Sequence, residues 1–165
     1  MCNYLAGEGV THMDAGRPMV ARRPDSHFTL ANLFRAMLYS TMATLKIGMD
    51  ILAEEQVAID SLTGHGGLFK TPVVGQRYLA AACNAPVKCM ETAGEGGPWG
   101  MALLAAYMAN RAEGESLEDY LEHRVFAGSQ STVETPRSGD AAGFNAFLTR
   151  YKAGLAVERA AVDLL

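Results

Sequence analysis

The sequence is short of charge. Asp, Glu, Lys and Arg make up only 19% of its 165 residues, below the usual share of about a quarter. Hydrophobic residues reach 49%, so a disordered chain is excluded. The net charge is −4, which gives no general electrostatic case for binding nucleic acid or an anionic membrane. Three cysteines, Cys2, Cys83 and Cys89, are odd in number and form no regular framework. They exclude a secreted disulfide scaffold and read as plain thiols in a reducing cytosol. No run of 18 apolar residues is present, and Met1–Gly9 lacks a basic head with an apolar stretch. Neither a transmembrane helix nor a signal peptide is expected, and the chain reads as cytoplasmic. What is abundant is glycine (17) and methionine (9). With so little surface charge, that composition suits faces made to meet something else.

Residues 1–28 read as an irregular lead-in carrying Arg17, Arg22 and Arg23, a basic group that suits a solvated loop, with phosphate contact as the alternative. A helix follows from Thr29, its N-cap, to Gln56. Leu30, Leu33, Phe34, Met37, Leu38, Leu45, Met49 and Leu52 recur at steps of three, four and seven. It is apolar over a wide arc and is expected to be well buried. Val57–Leu62 reads as a strand. Thr71-Pro72 reads as a capping Thr with Pro in the first helical position, opening a helix to Asn84. Val87–Glu91 is a second strand, and Pro98 opens a helix running to Asn110. Ser116 and Asp119 form a capping box for a helix to Phe126. A polar loop over 128–139 holds a short extended piece at Thr132–Glu134, and Asp140 caps a last helix to Asp163. The core at 29–110 is thus αβαβα and the tail at 111–165 is helical. The class is α/β, helix-rich, with a short parallel sheet of about two strands. So small a parallel sheet wants neighbours and cover, so the chain reads as the later part of a larger α/β domain.

Chemistry concentrates in two glycine-rich loops, each after a strand and before a helix. The first is Gly64-His65-Gly66-Gly67-Leu68-Phe69-Lys70-Thr71-Pro72, and the second is Gly94-Glu95-Gly96-Gly97-Pro98-Trp99-Gly100. Open α/β sheets bind ligands beyond the carboxyl ends of their strands, and glycine lets backbone approach a ligand closely. By spacing alone the first loop reads equally as a tight turn. The second misses the dinucleotide fingerprint, because Trp99 stands at the sixth position where Gly is required. Two such loops on adjacent strands can share one ligand. His12, His27, His65 and His123 show no metal spacing. The methionines suit core or interface filling. Asp14, Asp25 and Asp50 read as turn or surface carboxylates, and Glu113, Glu115, Glu118, Asp119 and Glu122 as a solvated acidic face.

Several segments together resemble the FGGY family of carbohydrate kinases. Gly66-Gly67-Leu68-Phe69-Lys70-Thr71-Pro72, followed by a helix with Gln76, is similar to the family's adenosine-binding Gly-Gly-(Gly or apolar)-Ala-Lys-Ser-Pro segment. Asn84-Ala85-Pro86-Val87 resembles the entry to its next strand. Trp99-Gly100-Met101-Ala102-Leu103-Leu104-Ala105-Ala106 is similar to a family helix. Tyr4-Leu5-Ala6-Gly7-Glu8 and Asn32-Leu33-Phe34-Arg35-Ala36-Met37-Leu38 are similar to two upstream signatures. Order and spacing agree over residues 4–110. Tyr39 departs from the pattern, standing where an acidic or amide residue is usual; Leu68 replaces a third glycine, and the insertion Gly94–Pro98 marks a ribulokinase-like branch.

The resemblance implies a partial ribonuclease-H-like (actin-type ATPase) domain, the C-terminal part of the nucleotide-binding domain of a two-domain sugar kinase. It implies ATP and Mg²⁺ as cofactors, bound mainly through parts this chain lacks, and a ketopentose such as ribulose or xylulose as substrate. The sugar would be held through a missing N-terminal domain, which also supplies the aspartate base, while the phosphate loop would open the second domain, upstream of the part this chain represents. No catalytic residue is assigned here. Gly66 and Gly67 are expected to approach adenosine, Leu68 and Phe69 to wall the adenine, and Lys70 and Thr71 to lie beside the nucleotide. Gly97 and Gly100 would line the other side. Unpaired sheet edges and uncovered apolar faces point to a homo-oligomer. The alternative is a non-catalytic nucleotide-binding or self-association module.

Overall fold

The computed structural model describes residues 1–164. In chain order it contains α1 (Leu30–Glu54), β1 (Leu62–Thr63), α2 (Val74–Cys83), β2 (Val87–Met90), α3 (Gly96–Asn110), α4 (Leu117–Tyr120), β3 (Ser131–Glu134) and α5 (Ser138–Leu164). Single 3₁₀ turns lie at Gly9–Thr11 and Gly67–Lys70, and a π turn at Leu121–Val125 prolongs α4. The chain divides into two compact units. The first takes Met1–Asp60, Tyr78–Ala85 and the chain from Pro136 onward, and the second takes Ser61–Arg77 and Pro86–Thr135.

In the first unit, the lead-in is more ordered than its composition suggested. Cys2 and Met19 exchange backbone hydrogen bonds at 3.1 Å, and Glu8 and Met13 exchange another pair. The result is a ragged hairpin. Gly16 is required in it, because a Cβ there would lie 2.2 Å from the Tyr4 carbonyl oxygen. Side chains fasten the hairpin to the helices. The Thr11 hydroxyl donates to Tyr4 Oη (3.1 Å), which also bonds Thr44 Oγ1 (2.8 Å). The Arg17 backbone N–H donates to Glu158 Oε1 at 2.7 Å.

Helix α1 starts as its sequence predicts, with the Asn32 N–H donating to Thr29 Oγ1 at 3.2 Å. The expectation of deep burial fails. Only Ser40, Met42 and Ala43 are buried, while Leu30 and Phe34 are 69% and 55% exposed. A helix apolar on several sides is buried only where another element covers it. Within this unit α5 and the hairpin cover one side. Opposite Asp50, Lys152 of α5 donates at 3.0 Å and Lys46 of α1 forms a second ion pair. Burial pushes the Asp50 carboxyl up, but the two lysines together outweigh it and hold it below the usual carboxylate range. An aromatic cluster closes the core. Tyr39 packs against Tyr78, Phe144 and Phe147, each with ring centroids 5.3 Å apart.

In the second unit, β1 pairs with β2 in parallel (Leu62↔Val87, Thr63↔Lys88), the two-stranded pair the sequence predicts. The strand at Val57–Leu62 is misplaced, since β1 begins only at Leu62. The extended piece near Thr132 becomes β3, antiparallel to β2 (Val87↔Glu134, Met90↔Ser131). Along β2 the burial alternates with the pleat, with Val87 and Cys89 in and Lys88 out. Gln76 of α2 fixes the pair. Its Nε2 donates to the carbonyls of Val87 (3.1 Å) and Thr132 (3.0 Å), and its Oε1 accepts from the Thr132 hydroxyl (3.1 Å). The Ser116 capping box holds as predicted, with the Asp119 N–H donating to Ser116 Oγ at 3.0 Å.

Three helix starts differ from expectation, α3 beginning at Gly96 rather than at Pro98. Thr71-Pro72 does not open α2, because Val73 adopts φ +70° and breaks the helical path, so that α2 begins at Val74. Asp140 is not a cap but lies in the first turn of α5, which begins at Ser138. A carboxylate there still complements the positive end of the helix.

Candidate nucleotide site

The two glycine-rich loops lie in the second unit at the carboxyl ends of β1 and β2. The Gly64 N–H donates to the Lys88 carbonyl at 2.9 Å, which carries the strand pairing into the first loop. Gly66 then takes φ +99° and ψ −175°, a conformation open in practice only to glycine. Its N–H donates to the Ala93 carbonyl at 2.6 Å, joining the first loop to the second. Gly96 takes φ +53°, and a Cβ on it would contact the Gly66 Cα at 3.5 Å. The two loops are therefore in contact, as adjacent strand ends require. A Cβ on Gly67, Gly97 or Gly100 would meet nothing within 4 Å, so these three positions face open space.

The other residues expected here play varied parts. The Phe69 ring is wedged into the turn, since a Cβ on Gly64 would lie 2.4 Å from it and one on Gly75 would lie 3.1 Å from it. Leu68 packs on Gly75 as well. The stem of Lys70 crosses Gly94, its Cγ 3.1 Å from where a Cβ would stand. Thr71 is exposed with extended backbone, follows the 3₁₀ turn at Gly67–Lys70 and opens no α-helix. His65 is exposed at the tip of the first loop. Gly97 and Gly100 line a cleft of about 430 Å³ with Met101, Leu103, Leu104, Leu117, Leu121 and Phe126, an entirely apolar wall.

In the sequence Trp99 breaks a fingerprint and opens a helix similar to the family's, and it carries no site role there. Its Nε1–H is buried and has no hydrogen-bond partner among the described residues. A buried indole N–H ordinarily finds one. The signal was its place as the chain's single tryptophan in the first turn of a glycine-rich helix start.

No candidate base emerges among the aspartates that the sequence singled out. Asp50 is held between two lysines, Asp25 is paired with Arg23, and Asp14 is exposed on the hairpin. Among the described residues no three His, Cys, Asp or Glu side chains are grouped to hold a metal ion. The cysteines are free, and burial pushes the thiols of Cys2, Cys83 and Cys89 up. Among the described residues no helix is long and apolar enough to cross a membrane.

No curated protein matches the chain in sequence. A solved structure, xylulose kinase from Rhodospirillum rubrum, is similar in fold with a TM-score of 0.60 at 15% identity. The match covers 98% of this chain and 32% of that one, so this chain spans about a third of that protein's length. The architecture is thus that of the actin-like ATPase class. Residues 1–109 match the family model described as the C-terminal domain of FGGY carbohydrate kinases, and the chain belongs to the FGGY family of carbohydrate kinases.

Proposed function

We propose that this chain supplies the adenosine side of an ATP site in the phosphorylation of a sugar, a ketopentose such as ribulose or xylulose. The observation that carries the reading is the Gly66 N–H to Ala93 carbonyl bond, which joins two glycine-rich loops at the ends of adjacent parallel strands. Residues that fit such a ligand surround it. Gly67, Gly97 and Gly100 leave open space where side chains would stand. The Trp99 indole offers an unused donor, and Lys70 lies across the second loop. ATP supplies the phosphoryl group, and Mg²⁺ would be held through the phosphates and groups outside this chain. The chain's own part is to hold and orient the nucleoside. Without a base and a phosphate loop, it is expected to turn over no sugar by itself.

Calorimetric titration with ADP tests the reading. Binding is expected to be weak, with Kd on the order of 1 mM. Gly67→Leu should weaken it by tenfold or more while leaving the thermal melt unchanged, since the added side chain enters open space. Equal affinity in the two proteins sinks the reading, as does phosphorylation of ribulose or xylulose by the purified chain.

One observation favours a second role, self-association. Helix α3 buries none of its residues although its sequence is apolar on all sides, and Met101 and Met108 are 68% and 79% exposed. A helix of that kind is normally covered. Light scattering should show a mass that grows with concentration and returns to the monomer in Met101→Glu/Met108→Glu. A monodisperse wild-type monomer at high concentration would exclude it.

A further inference from the structure

We infer that the first unit carries a binding site for a phosphate ester with a flat apolar body, built from residues the nucleotide reading does not use. Four of the chain's ten arginines, Arg22, Arg23, Arg35 and Arg150, line one cavity of about 870 Å³. That volume falls within the range of small-molecule sites, roughly 300–1,000 Å³. The whole chain carries a net charge of −4, so this concentration of positive charge is local.

Among the described residues the only carboxylate on the wall is Asp25, and Arg23 already takes both its oxygens at 3.0 and 2.5 Å. Arg35 on α1 and Arg150 on α5 have no acidic partner among the described residues. Two helices therefore each place on this cavity an arginine without an acidic partner among the described residues. Such forks match the oxygens of a phosphate. Arg22 is held over the Phe28 ring, 5.1 Å from its centroid.

The loop that carries Arg22 and Arg23 is folded. The Ser26 hydroxyl donates to the Arg23 carbonyl (2.7 Å), and Asn32 Nδ2 donates to the His27 carbonyl (2.8 Å). The remaining wall is mostly apolar and includes aromatic rings. Tyr39, Phe147 and Tyr151 face the cavity, with Tyr39 and Phe147 in contact at 5.3 Å and Phe147 and Tyr151 at 5.9 Å. A wall that carries both arginines and aromatic rings suits a ligand that has a phosphate and a flat apolar body. Arg22 and Arg23, read in the sequence as a solvated loop with phosphate contact as the alternative, share this cavity with Arg35 of α1 and Arg150 of α5.

The test is calorimetric titration of the whole chain with phenyl phosphate, glycerol phosphate, inorganic phosphate and phenol. Phenyl phosphate should bind, inorganic phosphate about tenfold more weakly, and phenol not at all. Arg35→Gln/Arg150→Gln should lose tenfold or more in affinity for phenyl phosphate. Both side chains are exposed, so the variant should keep its melting temperature. Arg35→Lys/Arg150→Lys, which keeps charge without the fork, should fall between the two. Gly67→Leu should bind phenyl phosphate as the wild type does, which separates this site from the glycine loops. Absence of phenyl phosphate binding up to about 10 mM, or equal binding by the glutamine variant, overturns the proposal. Equal affinity for glycerol phosphate and phenyl phosphate removes the aromatic body from it.

Discussion

Gln76→Leu is expected to lower the unfolding free energy by about 2–4 kcal/mol. The side chain is buried, 4% exposed, and its amide makes three hydrogen bonds within the second unit. Two go to main-chain carbonyls on different strands, Val87 of β2 and Thr132 of β3. One amide therefore clamps the antiparallel pair that carries the sheet beyond two strands. Leucine fills the volume but offers no donor, so two carbonyls and the Thr132 hydroxyl lose a partner in a buried place. Gln76→Glu should cost more still, since an ionised carboxylate cannot donate and would face the two carbonyls. Urea unfolding measures the total. Hydrogen exchange at Cys89 and Met90 should rise by a larger factor than exchange in α5, because the damage is local to one unit. A change below about 0.5 kcal/mol would mean the amide is not the clamp it resembles. The glycine loops issue from the ends of these strands, so nucleotide binding should weaken along with stability.

Which parts of this structure were legible depended on how local their causes are. Thr29 and Ser116 cap their helices as the sequence predicts, because a cap involves only four consecutive residues. Pro86 leads into β2 and Asn84, at φ +51°, lies just past the end of α2, again by short-range rules. Thr71-Pro72 had an equally good local signal and failed, because the chain takes a left-handed step at Val73. A β-branched residue rarely adopts that conformation, so no sequence rule places the break there. The pairing of β3 was hidden for another reason: its partner β2 lies some forty residues away, and pattern reading does not reach so far. Deep burial of α1 was inferred from its apolar arc, yet an arc states what a helix can bury and not what covers it. In the candidate site, the glycines were legible and the contact between Gly66 and Ala93 was not. Trp99 was missed because a buried donor without a partner is visible only in three dimensions.

Phe144→Ala should be the most damaging single truncation in the first unit, costing about 3–5 kcal/mol. Phe144 is fully buried, at 0% exposure, and its ring meets Tyr39 edge-on at 85° and 5.3 Å. Beyond the area lost, such a contact adds about 0.5–1.5 kcal/mol. The void left behind would border Tyr39, which also contacts Tyr78 and Phe147, so three further rings lose support together. In a chain of this length that energy corresponds to a melting temperature lower by roughly 10 °C. Phe147→Ala should cost less, because Phe147 is only half-buried. The same cluster explains the one departure at the family's upstream signature. Where an acidic or amide side chain is usual, this chain has Tyr39, and its surroundings are aromatic. Tyr39→Gln should therefore destabilise the unit even though it restores the commoner residue type, since the amide would enter a space shaped for a ring. If Tyr39→Gln proved neutral while Phe144→Ala remained costly, the cluster would be organised around Phe144 alone, and the departure at Tyr39 would have another cause.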